Sequence, residues 1–373
     1  LRVPAHAAVD DAVRAVRASV GRGGAARLGG FANGLLRALS RSGEPPLPGA
    51  PGSRLRIEAT SSLPHWLADA LVAALPGGEA ELAAAAEALQ EPAPLVARVR
   101  RGRGSREELA ARLAVDHPAA TIVASPLAPD ALLLSGMGAP EAVQAFRDGR
   151  WTVQDVGAQL VGLLAGARPG DVVLDACAGV GGKTTHLAEL MASGEAPGDS
   201  SIDAADLAPA KLARLAEACA RLGLGTASIR RCALDLLDDR AAEALLRPAY
   251  DVAILDAPCS GLGVLRRHPE ARWRLGPADI ERMAALQAKL LDAVSARVRP
   301  GGILVYSVCT FSRAEGPAQV EAFLARAPFQ QIAPPDDAGV PWAEVVAPDG
   351  FLRTWPHRHG ADGFFAARLA RRG

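Results

Sequence analysis

The chain has 373 residues and a formal net charge of zero, because 41 Lys and Arg residues are matched by 41 Asp and Glu residues. This balance argues against a protein that coats nucleic acid by bulk electrostatics, and it leaves phosphate contacts to local basic patches. Hydrophobic residues make up 49% of the chain, yet no apolar run approaches the length of a bilayer, so no membrane partner is expected. Since single cores stop growing near roughly 250 to 300 residues, we expect at least two domains.

The cysteines indicate a reducing compartment. None of them forms a C-x-x-C pair or has a Cys/His spacing suited to zinc, and their odd number does not fit a disulfide framework. No basic and apolar leader follows Leu1, so we expect a cytoplasmic protein with free thiols and no metal ion. The cysteines are Cys177, Cys219, Cys232, Cys259 and Cys309.

The first part of the chain predicts helices followed by a linker. Apolar residues recur at three- and four-residue steps through residues 4–42, which predicts two amphipathic helices parted by a Gly-rich turn. The next segment, SGEPPLPGAPGS, sustains neither helical nor strand periodicity. We therefore place a helical domain at residues 1–43 and a linker at residues 44–54.

Residues 55–150 are typical of a small α/β region. Ser105, with Glu108 three residues later, has the spacing of a capping box and opens one of its helices. The remainder, up to about residue 150, is a mixed stretch. The elements predicted here are helices at 62–75 and 79–90, a strand at 93–101 and a helix at 105–114.

From residue 151 onward, apolar strands and helical segments alternate strictly. Such alternation predicts a parallel, doubly wound α/β sheet with helices on both faces. Ligands of these sheets bind beyond the carboxyl ends of the strands, so the chemistry is expected at the strand tips. The predicted strands are residues 171–177, 201–206, 227–232, 251–257 and 302–309.

The first strand leads into a glycine-rich segment, DACAGVGGKTTHLAEL, which contains Gly179, Gly181, Gly182 and Lys183 at the head of a helix. Glycines allow tight turns and close approach to a ligand, and a helix N-terminus offers free N–H groups. The segment has neither the P-loop spacing nor a clean dinucleotide fingerprint. It is therefore either a nucleotide-type loop or a turn that merely connects strand to helix.

Acidic residues follow the next two strands. Asp206 stands where a carboxylate accepts hydrogen bonds from ribose hydroxyls, although it would equally cap a helix at 209–222. Asp235 is placed to meet an adenine amino group, with Asp238 and Asp239 as neighbouring capping residues. Both the ligand interpretation and the capping interpretation remain open from the sequence.

The last two strands bring cysteines to their tips. Asp256, Pro258 and Cys259 end one strand and Cys309 ends the other, and neighbouring parallel strands place such ends in one cleft. Two thiols at this edge favour nucleophilic chemistry, whereas a lone free cysteine is usually a small buried hydrophobe. We assign that second role to Cys219 and Cys232.

Several of these segments together resemble the Sun family of RNA (cytosine-5) methyltransferases, most closely the RsmB type that acts on small-subunit ribosomal RNA. The resemblance runs from about residue 55 to the C-terminus, and residues 4–42 resemble the last helices of a NusB-like RNA-binding domain. It implies a Rossmann-like class I methyltransferase sheet at 151–373, a small α/β RNA-recognition subdomain before it and a partial all-α NusB-like domain. The segments are WTVQDVGAQLV, VLDACAGVGGKTTHLAEL, DAPCSGLGVLRRHPE, YSVCTFS and HGADGFFAARL.

The resemblance implies S-adenosylmethionine as cofactor and ribosomal RNA as partner, with neither a membrane nor a metal ion involved and the chain acting as a monomer. Asp206 would hold the ribose hydroxyls, Asp235 would lie near the adenine, and Asp256 would border both the methionine end and the target base. The cofactor loop would comprise Cys177, Ala178, Gly179, Val180, Gly181, Gly182 and Lys183.

The resemblance also assigns the two cysteines. The thiolate of Cys309 would add to carbon 6 of a cytosine, and Cys259 would assist release of the product. Asp256 at the Watson–Crick edge would stabilise the intermediate and favour cytosine. Lys183 would either orient a carboxylate or favour a thiolate, and we place His186 on a helix surface.

A basic patch follows Cys259, and it predicts RNA contacts through Arg266, Arg267, His268 and Arg272, with Trp273 available for stacking. A solvated loop is the alternative for each arginine. A second basic patch lies at residues 99–106.

Two other functions remain open. One is a related methyltransferase that acts on transfer RNA or on DNA; if it acts on DNA, Cys259 would be the nucleophile. The other is a non-catalytic RNA-binding assembly factor.

Overall fold

The computed structural model describes residues 3–20, 22–42, 46–192, 200–225 and 229–373. It divides into two compact units, Leu1–Thr60 and Ser61–Gly373. Residue 43 at the end of the predicted helical domain, residues 44–45 of the predicted linker and the start of the third predicted strand, at residues 227–228, lie outside the described residues. No helix in the described ranges is long and apolar enough to cross a membrane.

The first unit contains the two helices predicted near the N-terminus. Val9 and Val13 form one buried face of the first helix, at the three- and four-residue spacing that its sequence shows. A short third helix begins at the last residue of the predicted linker and continues into the region predicted as α/β. The helices are α1 (Ala5–Ser19), α2 (Arg22–Ser42) and α3 (Arg54–Thr60).

The second unit opens with a small antiparallel sheet flanked by helices. Its strand order is β2-β3-β1-β4, and β4 pairs with β1, so this sheet continues past the predicted boundary at residue 150. Ser105 and Glu108 form the predicted capping box at the start of α6. The elements are α4 (His65–Ala74), α5 (Leu82–Ala88), β1 (Leu95–Val99), α6 (Arg106–Asp116), β2 (Thr121–Ala124), β3 (Ala131–Ser135), α7 (Gln144–Arg147) and β4 (Trp151–Val153).

The remainder of the unit is built on a large twisted α/β sheet with the order β10-β12-β9-β8-β5-β6-β7, to which β11 adds by pairing with β12. Its five central strands are parallel, as predicted, and the C-terminal strands join antiparallel at one edge. The strands are β5 (Val172–Asp175), β6 (Ser201–Asp206), β7 (Ile229–Ala233), β8 (Tyr250–Asp256), β9 (Val298–Val308), β10 (Phe329–Gln331), β11 (Leu352–Thr354) and β12 (Phe364–Arg371).

The order of the strands fixes the position of the site. Strand β5 lies in the middle of the sheet, with β6 on one side and β8 on the other, so the connections diverge at the tip of β5. Ligands of α/β sheets bind in the crevice at such a switch point. The helices around the sheet are α8 (Val156–Ala165), α9 (Gly182–Met191), α10 (Pro209–Leu222), α11 (Asp239–Leu245), α12 (Ala271–Arg274), α13 (Pro277–Ser295), α14 (Pro317–Leu324), α15 (Trp342–Val345) and α16 (Pro356–His359).

Two polar residues, His186 and Asp203, are buried in the second unit. His186 is 1% exposed, because α9 crosses α8 so closely that a Cβ on Gly162 would come within 2.4 Å of His186 Nδ1. Our placement of His186 on a helix surface is therefore wrong, and burial lowers the pKa of this imidazole, which stays neutral. The carboxylate of Asp203 can be buried inside β6 because the hydroxyl of Tyr250 donates a hydrogen bond to it and Arg230 forms an ion pair with it.

A buried arginine connects the small sheet to the large one. Arg98, on β1, is fully buried, and its guanidinium donates to the backbone oxygen of Gly182 at 2.9 Å. It also pairs with Glu189 of α9 at 2.9 Å and donates to Thr185 Oγ1 at 3.1 Å. The small subdomain is thus anchored to the helix that begins at the glycine-rich loop.

We expect Arg98→Met to lower the free energy of unfolding by about 3–5 kcal/mol, because it leaves the carboxylate of Glu189 buried without its cation. Guanidinium denaturation of the purified protein measures the loss. Arg112→Met removes an arginine whose side chain is 45% exposed in its pair with Asp116, and its cost should stay within about 0.5 kcal/mol. Equal stabilities for the two variants would contradict the anchoring role.

Candidate active site

The glycine-rich loop after β5 is shaped by two glycines with positive φ. Gly181 has φ +88°, and a Cβ there would lie 2.1 Å from Leu215 Cδ1 of α10, so only glycine fits. Gly179 has φ +58°, and a Cβ built on it would have no atom within 4 Å, so its outer face is open to a ligand. Helix α9 begins directly afterwards at Gly182 and points its N-terminus into this region.

Asp206 ties the tip of β6 to this loop. Its Oδ2 accepts a hydrogen bond from Gly179 N at 2.9 Å and its Oδ1 accepts one from Ala208 N at 2.8 Å. The N-cap of α10 is Ala208, without a side-chain cap, so Asp206 does not fill the alternative role of helix cap. A carboxylate only 8% exposed therefore lies against the backbone of the loop at the switch point of the sheet.

The other predicted residues near the loop differ in exposure. Asp235 is exposed after β7 and accepts a hydrogen bond from Leu237 N at 2.9 Å, whereas Asp238 caps α11. Burial raises the pKa of the Cys177 thiol and so disfavours its thiolate. Asp175 is fully buried, which raises its pKa to about 6, and Thr184 Oγ1 donates to it at 2.6 Å.

Cys259 and Cys309 meet at the tips of β8 and β9. Their Sγ atoms are 3.2 Å apart, within hydrogen-bond distance for sulfur. The two tips are held by backbone hydrogen bonds, in which Ala257 N donates to Ser307 O at 2.9 Å and Gly263 N donates to Cys309 O at 3.0 Å. The edge that the sequence predicted as a shared cleft thus contains two thiols in contact.

The surroundings of Cys259 disfavour its thiolate. The pKa of Cys259 lies well above its usual value, because its thiol hydrogen-bonds to Cys309 and because it is buried. Either sulfur can donate the hydrogen bond that joins the two.

An ion pair joins the glycine-rich loop to the cysteine tips. Lys183 Nζ donates to Asp256 Oδ2 at 2.5 Å, and Ser307 Oγ donates to Asp256 Oδ1 at 2.8 Å. Lys183 is 7% exposed, whereas the side chain of Asp256 is 31% exposed and accessible from the cleft. Both roles considered for Lys183 remain predictions, and its ion-pair partner in the structure is the carboxylate of Asp256.

A buried glutamate supports both cysteine tips and was not identified from the sequence. Glu315 is 0% exposed and accepts hydrogen bonds from Ser260 N at 2.7 Å and Gln287 Nε2 at 3.1 Å. Thr310 Oγ1, next to Cys309, also donates to it at 3.3 Å. The residue lies in a turn after β9, where no periodic pattern marks a buried position, so only the tertiary contacts show its role.

The basic patch after Cys259 is mostly turned inward. The side chain of Arg266 is 5% exposed and pairs with Asp362 at 2.9 Å, and Arg267 pairs with the same carboxylate. Arg272 is 7% exposed and donates to Leu89 O at 2.6 Å. The prediction that Arg266 and Arg272 contact RNA phosphates is therefore corrected, because both guanidinium groups are buried in internal contacts.

Three residues of that patch, Arg267, His268 and Trp273, remain exposed. The side chain of His268 is 64% exposed, and Trp273 is 68% exposed on the short helix α12. A large exposed aromatic ring suits stacking with an unpaired base. In the second patch, Arg103 is exposed and Arg101 pairs with Asp130 at 2.7 Å.

Comparison with known proteins gives one consistent family. A family model described as 16S rRNA methyltransferase RsmB/F matches residues 163–370, and the ferredoxin-like domain of RsmF/B-like methyltransferases matches residues 63–139. The chain is 35% identical to the probable ribosomal RNA small subunit methyltransferase B of Synechocystis sp., covering 99% of this chain and 79% of that protein. It is 31% identical to the corresponding Bacillus subtilis protein, again covering 79% of it.

Two solved structures share the fold. The crystal structure of PH0851 superposes with a TM-score of 0.77 at 27% identity, covering 92% of this chain and 74% of that one. The structure of NSun6 from Pyrococcus horikoshii with SFG superposes with a TM-score of 0.69 at 21% identity, covering 84% of this chain and 99% of that one. The second likeness concerns the fold alone.

Proposed function

Because the chain belongs to the RsmB/F family of 16S rRNA methyltransferases, we propose that it methylates carbon 5 of a cytosine in small-subunit ribosomal RNA through a covalent Cys309 adduct. The observation that carries this proposal is the pair of sulfurs 3.2 Å apart at the tips of β8 and β9. The Lys183–Asp256 pair lies at the same edge of the sheet. Action on ribosomal RNA would place the protein in the cytoplasm.

The loop after β5 fits S-adenosylmethionine, whose sulfonium group supplies the methyl when bound. A backbone that is open at Gly179 allows close approach, and the N-terminus of α9 offers N–H groups to a carboxylate. Asp206, already in contact with the loop, would accept hydrogen bonds from ribose hydroxyls, and Asp235 would face the adenine. These residues would orient the donor toward the cysteine tips.

Cys309 is the better nucleophile of the two cysteines. Carbon 5 of cytosine is a weak nucleophile, and adding a thiolate to carbon 6 moves electron density onto carbon 5. The thiol of Cys259 can donate a hydrogen bond to Cys309, which favours charge on Cys309 Sγ before attack. The S–C6 bond forms first, and carbon 5 then takes the methyl group.

Asp256 and Lys183 would recognise the base. The carboxylate of Asp256 can accept a hydrogen bond from the amino group of cytosine, which uracil lacks. Lys183 places a positive charge beside it, where the ring becomes electron-rich after thiolate addition. The pair thus supports both the choice of cytosine and the stabilisation of the adduct.

Cys259 would complete the cycle. After methylation, the proton on carbon 5 leaves to a base, the S–C6 bond breaks with its electron pair returning to Cys309, and the aromatic ring is restored. Because Cys259 Sγ lies 3.2 Å from Cys309 Sγ, its thiol can stabilise the departing thiolate. The target base must leave its stack to reach this edge, and Trp273 and His268 offer contacts for neighbouring nucleotides.

Nucleoside analysis tests the reaction directly. The purified protein is incubated with unmodified 16S ribosomal RNA and isotopically labelled S-adenosylmethionine, and the RNA is digested and analysed by mass spectrometry. We expect label in 5-methylcytidine, with transfer RNA in a parallel reaction remaining unlabelled. Label in N4-methylcytidine or in another base would contradict the proposed chemistry, and label only in transfer RNA would contradict the proposed substrate.

A further inference from the structure

We infer that Glu315 is a positioning residue that holds the two cysteine tips together and gives Cys259 and Cys309 different roles. The inference rests on the proposed function, because it assigns these roles within that reaction. Neither thiol contacts Glu315 through a hydrogen bond in the described residues; the glutamate acts through Ser260 and Thr310, which directly follow the two cysteines. It therefore connects two loops that are 50 residues apart in the chain.

The contacts of Glu315 form a closed network. Its carboxylate accepts hydrogen bonds from both the backbone N–H and the hydroxyl of Ser260, and the hydroxyls of Ser260 and Thr310 are 3.0 Å apart. Gln287 of α13 donates both to Glu315 and to Pro258 O, the carbonyl before Cys259. Rotating either tip would break several of these hydrogen bonds at once, so this network fixes the separation of the two sulfurs.

The charge on Glu315 has no obvious structural need. The donors that contact it within the described residues are neutral backbone, hydroxyl and amide groups, although burying a carboxylate without a cation is costly. A glutamine could occupy the same volume. A buried negative charge retained beside two thiols is more readily explained by its effect on their ionisation.

That effect falls on Cys259. The hydrogen bond with Cys309 and burial raise the pKa of Cys259, and the negative charge of Glu315 raises it further. The other ionisable groups near this thiol are Tyr306 on β9 and Cys309 directly after that strand, while α13 contributes the neutral Gln287. Cys259 is thereby kept as a thiol.

Thiol alkylation tests this assignment without RNA or methyl donor. Iodoacetamide reacts with thiolates, and tryptic peptides 241–266 and 298–313 report Cys259 and Cys309 separately. In Glu315→Gln we expect Cys259 to be alkylated about tenfold faster near neutral pH, with its pH profile moved to lower pH. Glu321→Gln, which removes an exposed carboxylate from α14, should leave both profiles unchanged.

Kinetics separate positioning from general stability. We expect Glu315→Gln to lower kcat by roughly 10–100-fold without changing KM for S-adenosylmethionine, because Cys259 loses the neighbouring charge that disfavours its thiolate. Glu315→Asp keeps the charge and should retain slow Cys259 alkylation. Ser260→Ala keeps the charge but removes the hydroxyl that contacts both Glu315 and Thr310, and should lower kcat with an unchanged alkylation profile.

The outcomes are distinguishable. An unchanged alkylation profile of Cys259 in folded Glu315→Gln, or equal acceleration at both cysteines, would overturn the inference. If that variant does not fold, slow alkylation and reduced kcat in Ser260→Ala support the inference, and a wild-type kcat there overturns it. An altered profile in Glu315→Gln with no 5-methylcytidine from the wild type would reject the proposed function and leave the electrostatic effect of Glu315 standing.

Discussion

Cys309→Ala is expected to abolish methylation of 16S ribosomal RNA, with a loss of roughly 10³-fold or more in rate. Without a nucleophile for carbon 6, carbon 5 stays too electron-poor to take a methyl group. No covalent complex between protein and RNA should form either. Labelled methyl incorporation into RNA measures the rate, and a denaturing gel detects the complex.

The control is Cys219→Ala. Cys219 is buried on α10 and lies outside the cleft, so its removal tests whether losing a thiol alone affects activity. We expect activity within a few-fold of the wild type. Methylation by Cys309→Ala at a rate near that of the wild type would show that Cys309 is not the nucleophile. Cys259 would then be the nucleophile, as expected for a related methyltransferase that acts on DNA.

Cys259→Ala is expected to stop the reaction at a later stage. The thiol of Cys259 is held protonated and in contact with Cys309, so its loss impairs departure of the Cys309 thiolate from the methylated base. Turnover should fall by about 10²-fold or more, while the RNA-linked protein band accumulates. The expected signature is thus less product and more adduct than for the wild type.

The adduct distinguishes this role from a general loss of activity. A variant that is merely misfolded or inactive would give neither product nor band. Cys259→Ala that turns over normally would show that Cys259 is dispensable for release. Cys259→Ala that yields neither adduct nor product would contradict the assignment of attack to Cys309.

The sequence was sufficient to predict the parallel sheet and the residues at its strand tips. Continuous apolar runs separated by helical periodicity identified the central strands, and the carboxyl ends of such strands share one edge. Asp206, Lys183, Cys259 and Cys309 follow those runs directly, so local pattern alone located them. The structure adds the contacts between them, such as the 2.5 Å hydrogen bond from Lys183 to Asp256.

What the sequence could not provide depends on pairs that are far apart in the chain. Arg266 and Arg272 have the composition of an exposed basic loop, and only Asp362 and the carbonyl of Leu89 show that they are buried. His186 has polar neighbours, yet a close crossing with Gly162 buries it. These contacts join residues 24 to 183 positions apart, beyond any local periodicity.

Glu315 shows the same limit at the site itself. Its importance follows from Ser260 and Gln287, which approach it from another strand tip and from α13. A single glutamate in a turn carries no signal that it will be fully buried. Buried polar networks of this kind are recognised only when their hydrogen bonds are seen.

The most direct test of the account is to identify the residue that carries the RNA in Cys259→Ala. The trapped complex is digested with nuclease and trypsin, and the peptide bearing the nucleotide is sequenced by mass spectrometry. The account predicts the nucleotide on peptide 298–313, attached to Cys309. A nucleotide on any other peptide, or no linked peptide from a folded protein incubated with substrate, would contradict it.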